Sequence, residues 1–253
     1  MHKKISIITI NFNNLGGLKR TVESVIPQKQ KEEIEWVVID GGSKDGSVEY
    51  LKSMESHFQQ LVIEKDTGIY NAMNKGLNKA TGEYVWFLNS GDTLNNSDVY
   101  THVLNVLNDA VDCVYGDTLF VDEDGKELGK ISELKPQPFP KSLDFESFRF
   151  GMNICHQSFI ARKSLCEPYD EKYRLAADVD WVIKILKKRP VCKVVPGIVA
   201  NFEVGGSSYQ HTKKAWKERF AVLSNHYGLL PNLFAHGWIV FRRIWFNLKL
   251  RVR

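Results

Sequence analysis

Residues 4–12 carry a β-branched run, Ile5 to Ile10, that breaks into the polar turn residues Asn11, Asn13 and Asn14. From Gly16 to Ile26 the apolar residues change to helical spacing through Leu18, Val22 and Val25, and Pro27 stops the run. The alternation repeats. Ile34 to Ile39 reads as a second strand ending in Asp40-Gly41-Gly42-Ser43, and Asp45-Gly46-Ser47 opens a helix bearing Val48, Leu51 and Met54. Leu61 to Ile63 is a third short strand, Ile69 to Ala80 a helix with Met73 and Leu77 on one face, and Tyr84 to Leu88 a fully apolar fourth strand. Strand and helix in series predict a parallel sheet, because parallel strands need crossover helices, and a continuous apolar run suits a strand covered on both faces.

After Asp112 the rhythm changes. Cys113-Val114-Tyr115 and Thr118 to Val121 lead into the turn Asp122-Glu123-Asp124-Gly125, which predicts a hairpin. Pro136-Gln137-Pro138-Phe139-Pro140 reads as a loop or hinge. Ala176 to Lys188 is an amphipathic helix through Val179, Val182, Ile183 and Leu186, ended by Pro190. Val191 to Phe202 is a further strand region, followed by the flexible stretch Gly205-Gly206-Ser207-Ser208. The organisation expected is one α/β domain over residues 1–210 and a helical extension over 211–253, without internal repeats.

Composition adds limits. The 253 residues, 43% hydrophobic and 25% charged, suffice for one substantial core. The start resembles a secretory leader only superficially, since its apolar run is short and no small-residue cleavage site follows. No window holds the roughly 18 consecutive apolar residues of a membrane span. Four cysteines without CxxC spacing predict reduced thiols, a cytoplasmic setting and no structural zinc. Net charge is +4, but of 34 basic residues six lie after Glu218, where no acid follows, leaving 28 against 30 acidic. The basic character therefore belongs to the tail. There Phe234, Trp238, Phe241, Trp245 and Leu248 form an aromatic stripe at helical steps, which suits peripheral contact with an anionic membrane face; a terminal helix packed on the core or on a dimer partner is the alternative. Nothing in the pattern points to nucleic acid.

In an open parallel sheet, ligands bind beyond the carboxyl ends of the strands. Polar residues crowd all four of those exits: Asn11, Asn13 and Asn14; Asp40 with its Gly-Gly-Ser turn; Asp66 and Gly68; Asn89, Ser90 and Asp92. A GxGxxG after the first strand is missing, which weakens a dinucleotide dehydrogenase, and no GxxxxGK[ST] supports a P-loop enzyme.

Five blocks in order, SIITINFNN at 6–14, VVIDGGSKDGS at 37–47, EKDTGIYNAMNKG at 64–76, GEYVWFLNSGD at 82–92 and LAADVDWVIKI at 175–185, resemble the family 2 glycosyltransferases. These are inverting enzymes of GT-A fold, and the chain is similar to bacterial members that build exopolysaccharide, colanic acid, capsule or lipopolysaccharide. The resemblance implies an α/β GT-A fold with a mostly parallel central sheet, a nucleotide-diphosphate sugar donor, and an acceptor saccharide that can be lipid-linked. It implies work at the inner face of the cytoplasmic membrane. Carried over position by position, Thr9, Asn11, Asp40 and Asp66 fall on the nucleotide pocket, and Lys75 is a candidate phosphate contact. Asp and Asn at such positions also cap helices.

LNSGD aligns with the family's metal-binding acidic turn, yet Asn89 and Gly91 stand where acids are common, so only Asp92 keeps a carboxylate for Mg²⁺ or Mn²⁺. One carboxylate together with substrate phosphates can hold either ion. Asp178 falls on the acid of the family's ED pair, with Ala177 in place of the Glu, and is the candidate base that removes the acceptor hydroxyl proton. Asp180, His156 and His211 are candidates for acceptor or phosphate contact. Rival readings are a nucleotidyltransferase, which lacks its Gly-rich basic N-terminal loop here, and a non-catalytic sugar-binding protein, which the thinned acidic motifs would suit.

Overall fold

The computed structural model describes residues 5–28, 33–205 and 211–251, with side chains to residue 246. Strands β1 (Ile5–Asn11), β2 (Ile34–Asp40), β3 (Gln60–Ile63) and β4 (Tyr84–Phe87) pair in parallel in the order β3-β2-β1-β4. Helices α1 (Leu15–Val25), α2 (Ser47–Ser53) and α3 (Ile69–Lys79) connect them, as the apolar spacing predicts.

The register fixes the site in advance. Asn11 lies opposite Asp40, and Asp40 opposite Ile63, so three strand exits open side by side. Alternation along β1 divides the core between the two faces of the sheet. Ile8 and Ile10 pack with Val37, Ile39, Phe87 and α3 on one face, while Ile5 and Ile7 pack with Trp36, Val38, Trp86 and α1 on the other. Helix α3 can lie close on β1 because Gly76 faces Ile8 with no side chain between them.

The second half of the sheet is mixed. β6 (Cys113–Val121) turns at Asp122 to Gly125 into β7 (Glu127–Lys130), which is the hairpin the turn residues predict. Beyond it β8 (Phe159–Arg162) runs antiparallel between β4 and β6, and β9 (Cys192–Glu203) runs parallel to β6. The short β5 (Thr93–Leu94) pairs with β9 at the edge. Helices α4 (Val99–Val106) and α5 (Ile131–Leu134) and strand β8 add to the predicted elements. α6 (Ala177–Lys187) matches the amphipathic pattern and buries Val179, Trp181, Val182, Ile183 and Leu186.

Two helices end the chain, α7 (Thr212–Tyr227) and α8 (Leu229–Arg251). α7 joins the core through Val222 and Leu223. α8 leaves Phe234 85% exposed and Trp238, Phe241 and Trp245 more than half exposed. Its Arg242 donates to Gln137 Oε1 (3.0 Å) and to the Phe150 carbonyl (3.1 Å), tying it to the proline-rich loop. Among the described residues no helix is long and apolar enough to cross a membrane. Of the Gly205 to Ser208 stretch, only Gly205 falls within the described residues, as does none of the predicted domain boundary at 210. The Leu248 side chain also lies outside them.

Candidate functional site

The exits of β1 and β2 are stitched together by their own polar residues. Asp40 is fully buried, and its Oδ1 accepts from the N–H groups of Gly42 (2.9 Å) and Ser43 (2.8 Å). Its Oδ2 accepts from Asn11 Nδ2 (2.7 Å) and Ser43 Oγ (2.8 Å). A carboxylate has about four lone-pair sites, so the turn consumes Asp40. The expectation that it meets a base edge is therefore corrected: Asp40 shapes the loop. Thr9 is also no nucleoside contact, because it is fully buried and its hydroxyl accepts the Trp36 indole N–H (3.1 Å).

Asn11 differs. It is 3% exposed, and its Oδ1 has no partner. Asp66 is half-buried beside Gly41, with Oδ1 accepting the Gly68 N–H (3.0 Å). Lys75 points back along its own loop, paired with Glu64 (2.9 Å) and donating to the Lys65 carbonyl (2.9 Å). That geometry engages its ammonium within its own loop.

At the β4 exit, residues 89–92 form a tight turn closed by the Asp92 N–H on the Asn89 carbonyl (2.9 Å). Gly91 takes a φ of +102°, a left-handed conformation that favours glycine. Thr21 of α1 clamps the turn, accepting the Gly91 N–H (3.0 Å) and donating to the Asp92 carbonyl (2.8 Å). Asn14, which caps α1 through the Gly17 N–H (3.0 Å), also donates to the Ser90 carbonyl (3.2 Å). The turn is thus held from behind by backbone contacts, while Asn89 Oδ1 and Ser90 Oγ are buried with no partner.

Asp92 is 4% exposed and accepts the Glu203 N–H (3.2 Å). Burial, reinforced by the Glu203 carboxylate, pushes its carboxyl up to about 8 against the pull of that N–H and the Gln157 amide.

Across from this turn, Asp178 opens the first turn of α6 and is half-buried. The Tyr70 hydroxyl donates to its Oδ1 (3.1 Å). Tyr70 is itself fixed by stacking on Tyr169, with ring centroids 5.6 Å apart. The two carboxylates share a neighbourhood: the Cys155 thiol is pushed up to about 12 by burial, and both Asp92 and Asp178 act on it, while Lys135 pulls the other way. Lys135 donates to the Met152 carbonyl (3.2 Å), and burial holds its ammonium below the usual lysine range.

His156 sits deeper than expected. It is 2% exposed among Phe87, Tyr169 and Trp181, and its Nε2 meets the Tyr169 hydroxyl (2.8 Å). Burial brings it down to about 4, so it is neutral at pH 7 and supports Tyr169 rather than touching an acceptor. Asp180 faces away from Asp178, as two helix positions require. It is buried between His226 of α7 (2.7 Å) and Lys184 (2.8 Å), so it fastens α7 to α6 instead of binding acceptor.

A cavity of about 360 Å³ opens beside Tyr70, lined in part by Thr67, Gly68, Arg174, His211 and Lys214. His211, the residue before α7, lines this cavity, which shares Tyr70 with the site but not Asp92 or Asp178. Tyr70, Thr21, Gln157, Arg20 and Glu203 were not legible as site residues. Of these, Tyr70 alone lay inside a motif block, where its spacing from Asp178 of 108 residues hid the contact.

The sequence model for "Glycosyl transferase family 2" matches residues 6–168. The chain is 34% identical over 184 residues to a glycosyltransferase of Mycobacterium tuberculosis, covering 71% of this chain and 68% of that one. It is 29% identical over 224 residues to a PGL/p-HBAD biosynthesis glycosyltransferase of Mycobacterium bovis, covering 85% and 82%. Among solved structures, S. aureus TarS in complex with UDP-GlcNAc superposes with a TM-score of 0.69 at 15% identity, over 96% of this chain and 73% of that one. The Pyrobaculum calidifontis mannosyltransferase PcManGT, in complex with GDP-Man and Mn²⁺, gives a TM-score of 0.64 at 15% identity, over 100% and 81%. These two likenesses establish the GT-A fold.

Proposed function

The chain belongs to glycosyl transferase family 2 and is a glycosyl-transfer enzyme, and we propose that it moves a sugar from a nucleotide-diphosphate donor to an acceptor hydroxyl with inversion. The observation that carries this reading is Asp178, half-buried at the head of α6 and held by the Tyr70 hydroxyl (3.1 Å). A single displacement needs one base on the acceptor side and charge stabilisation at the leaving diphosphate. Asp178 takes the acceptor hydroxyl proton as that oxygen attacks the anomeric carbon.

On the donor side, Asn11 Oδ1 and the Asp66 carboxylate supply acceptors for the nucleoside. UDP-GlcNAc in TarS and GDP-Man in the mannosyltransferase support a nucleotide-sugar donor. The oxygens at the β4 exit fit Mg²⁺ or Mn²⁺: Asn89 Oδ1 and Ser90 Oγ stand unpartnered beside the buried Asp92 carboxyl. Among the described residues no cluster of three or more His, Cys, Asp and Glu converges, so Asp92 and Asn89 would hold the ion together with donor phosphates. Such an ion neutralises charge on the departing diphosphate.

The acceptor side is the region of Tyr70, His211 and the proline-rich loop, and a lipid-linked saccharide is the acceptor we favour. The exposed Phe234, Trp238, Phe241 and Trp245 on α8, with Arg243, suit peripheral contact with the inner face of the cytoplasmic membrane, where surface-polysaccharide precursors would be met. Residues 1–210 would form the catalytic domain and 211–253 the helical extension, of which α8 faces the membrane.

The test incubates the protein with Mn²⁺, a panel of nucleotide sugars and lipid-linked saccharide acceptors. Release of nucleoside diphosphate with sugar transfer is the expected result. Release of pyrophosphate, or binding without turnover, contradicts it.

A further inference from the structure

The β4 turn lacks a side chain at position 91, where an acid is common in the family it resembles. Space at that position is nevertheless filled by a carboxylate. A Cβ added to Gly91 would lie 2.9 Å from Glu203 Oε2 and 3.3 Å from Oε1, so the Glu203 head group occupies the volume that a residue 91 side chain would take. Glu203 is the last residue of β9, opposite Val121 of β6, and its own N–H holds Asp92 Oδ1 at 3.2 Å. The strand that delivers the carboxylate thus also fixes the orientation of Asp92.

We propose that Glu203 supplies the second carboxylate of the divalent-cation site, replacing across space the acid that Gly91 lacks. This rests on the metal-assisted reading given above. The donor set is then Asp92 and Glu203 with the unpartnered amide oxygen of Asn89, all oxygens, as a hard cation prefers, and donor phosphates complete the shell. Arg20 of α1 pairs with Glu203 and is about one-third exposed. It acts as the resident counter-charge of Glu203 and competes with the cation for it.

The alternative is a plain strut, in which the Arg20 and Glu203 pair only fastens α1 to β9. The two roles make opposite statements about Arg20. In a strut, Arg20→Gln and Glu203→Gln lose the same pair, lower Tm alike and leave cation affinity alone. In a cation site, Glu203→Gln weakens binding and Arg20→Gln strengthens it.

The experiment titrates the full chain with Mn²⁺, in the presence of UDP or GDP, and reads free Mn²⁺ by electron paramagnetic resonance. Glu203→Gln should raise the Mn²⁺ Kd by about tenfold or more, the scale of losing a metal-supporting group, and Arg20→Gln should lower it. Tm for each variant separates misfolding from loss of affinity. Wild-type binding with an unchanged Kd in Glu203→Gln overturns the proposal and leaves the metal reading standing. Failure of the wild type to bind Mn²⁺ with either nucleotide overturns both.

Discussion

The exits of β2 and β4 look alike in sequence, each an apolar strand running into a turn of Asp, Gly and Ser, and they behave oppositely in the fold. At the β2 exit every acceptor site of Asp40 is used by Asn11, Gly42 and Ser43. At the β4 exit the backbone is clamped by Thr21 and Asn14 while the side-chain oxygens of Asn89 and Ser90 are left unpaired. Buried polar groups normally find partners, so the unpaired oxygens make the β4 exit the stronger candidate for ligand contact.

The sharpest separation comes from the candidate base on α6. Asp178→Asn should lower kcat by about 10³-fold, the scale of losing a positioned base, and leave the donor Kd unchanged in titration calorimetry. Asp40→Ala should strand the Asn11 amide and two N–H groups, lowering stability by about 3 kcal/mol in urea unfolding. By contrast Asp92→Asn should change stability by less than about 1 kcal/mol, because a neutral amide replaces a carboxyl that burial already drives toward its protonated form. Equal losses for the Asp40 and Asp92 variants would erase the distinction between the two exits. Tyr70→Phe should cost about tenfold in kcat with the donor KM retained, since it removes a hydroxyl that bonds a charged carboxylate; a change confined to KM would give Tyr70 a donor role. The smallest effect is expected at α8, where Phe234→Ser with Trp238→Ser should reduce cosedimentation with anionic liposomes by about threefold and leave transfer to a soluble acceptor intact.

The same contrast explains what was legible beforehand. β1 to β4 and α1 to α3 announce themselves because each strand is rich in apolar residues and bounded by turn residues, and each helix shows apolar positions at helical steps. α4 carried such a signal in Val99, Tyr100 and Val103, but a two-residue strand and several polar residues break up its surroundings. β8 spans only Phe159 to Arg162 after a 3₁₀ turn, too short a segment for period two to show.

Within the site, the order of the motifs singles out Asp92 and Asp178 as candidates. Thr9, Asp40, Lys75, His156 and Asp180 carried the same chemical types, yet their partners Trp36, Ser43, Glu64, Tyr169 and His226 arrive through the fold. Glu203 was hidden for the converse reason. It lies 111 residues from Asp92 in the chain, at the end of an unremarkable strand, and the pairing of β5 with β9, Thr93 opposite Asn201, brings it to the turn.

A single displacement with one base and no covalent intermediate is the core of this account, and the anomeric configuration of the product reads it directly. Proton NMR of the newly formed glycosidic linkage, set against the configuration of the sugar in its donor, should show inversion. Retention would contradict Asp178 acting as a base in a single step.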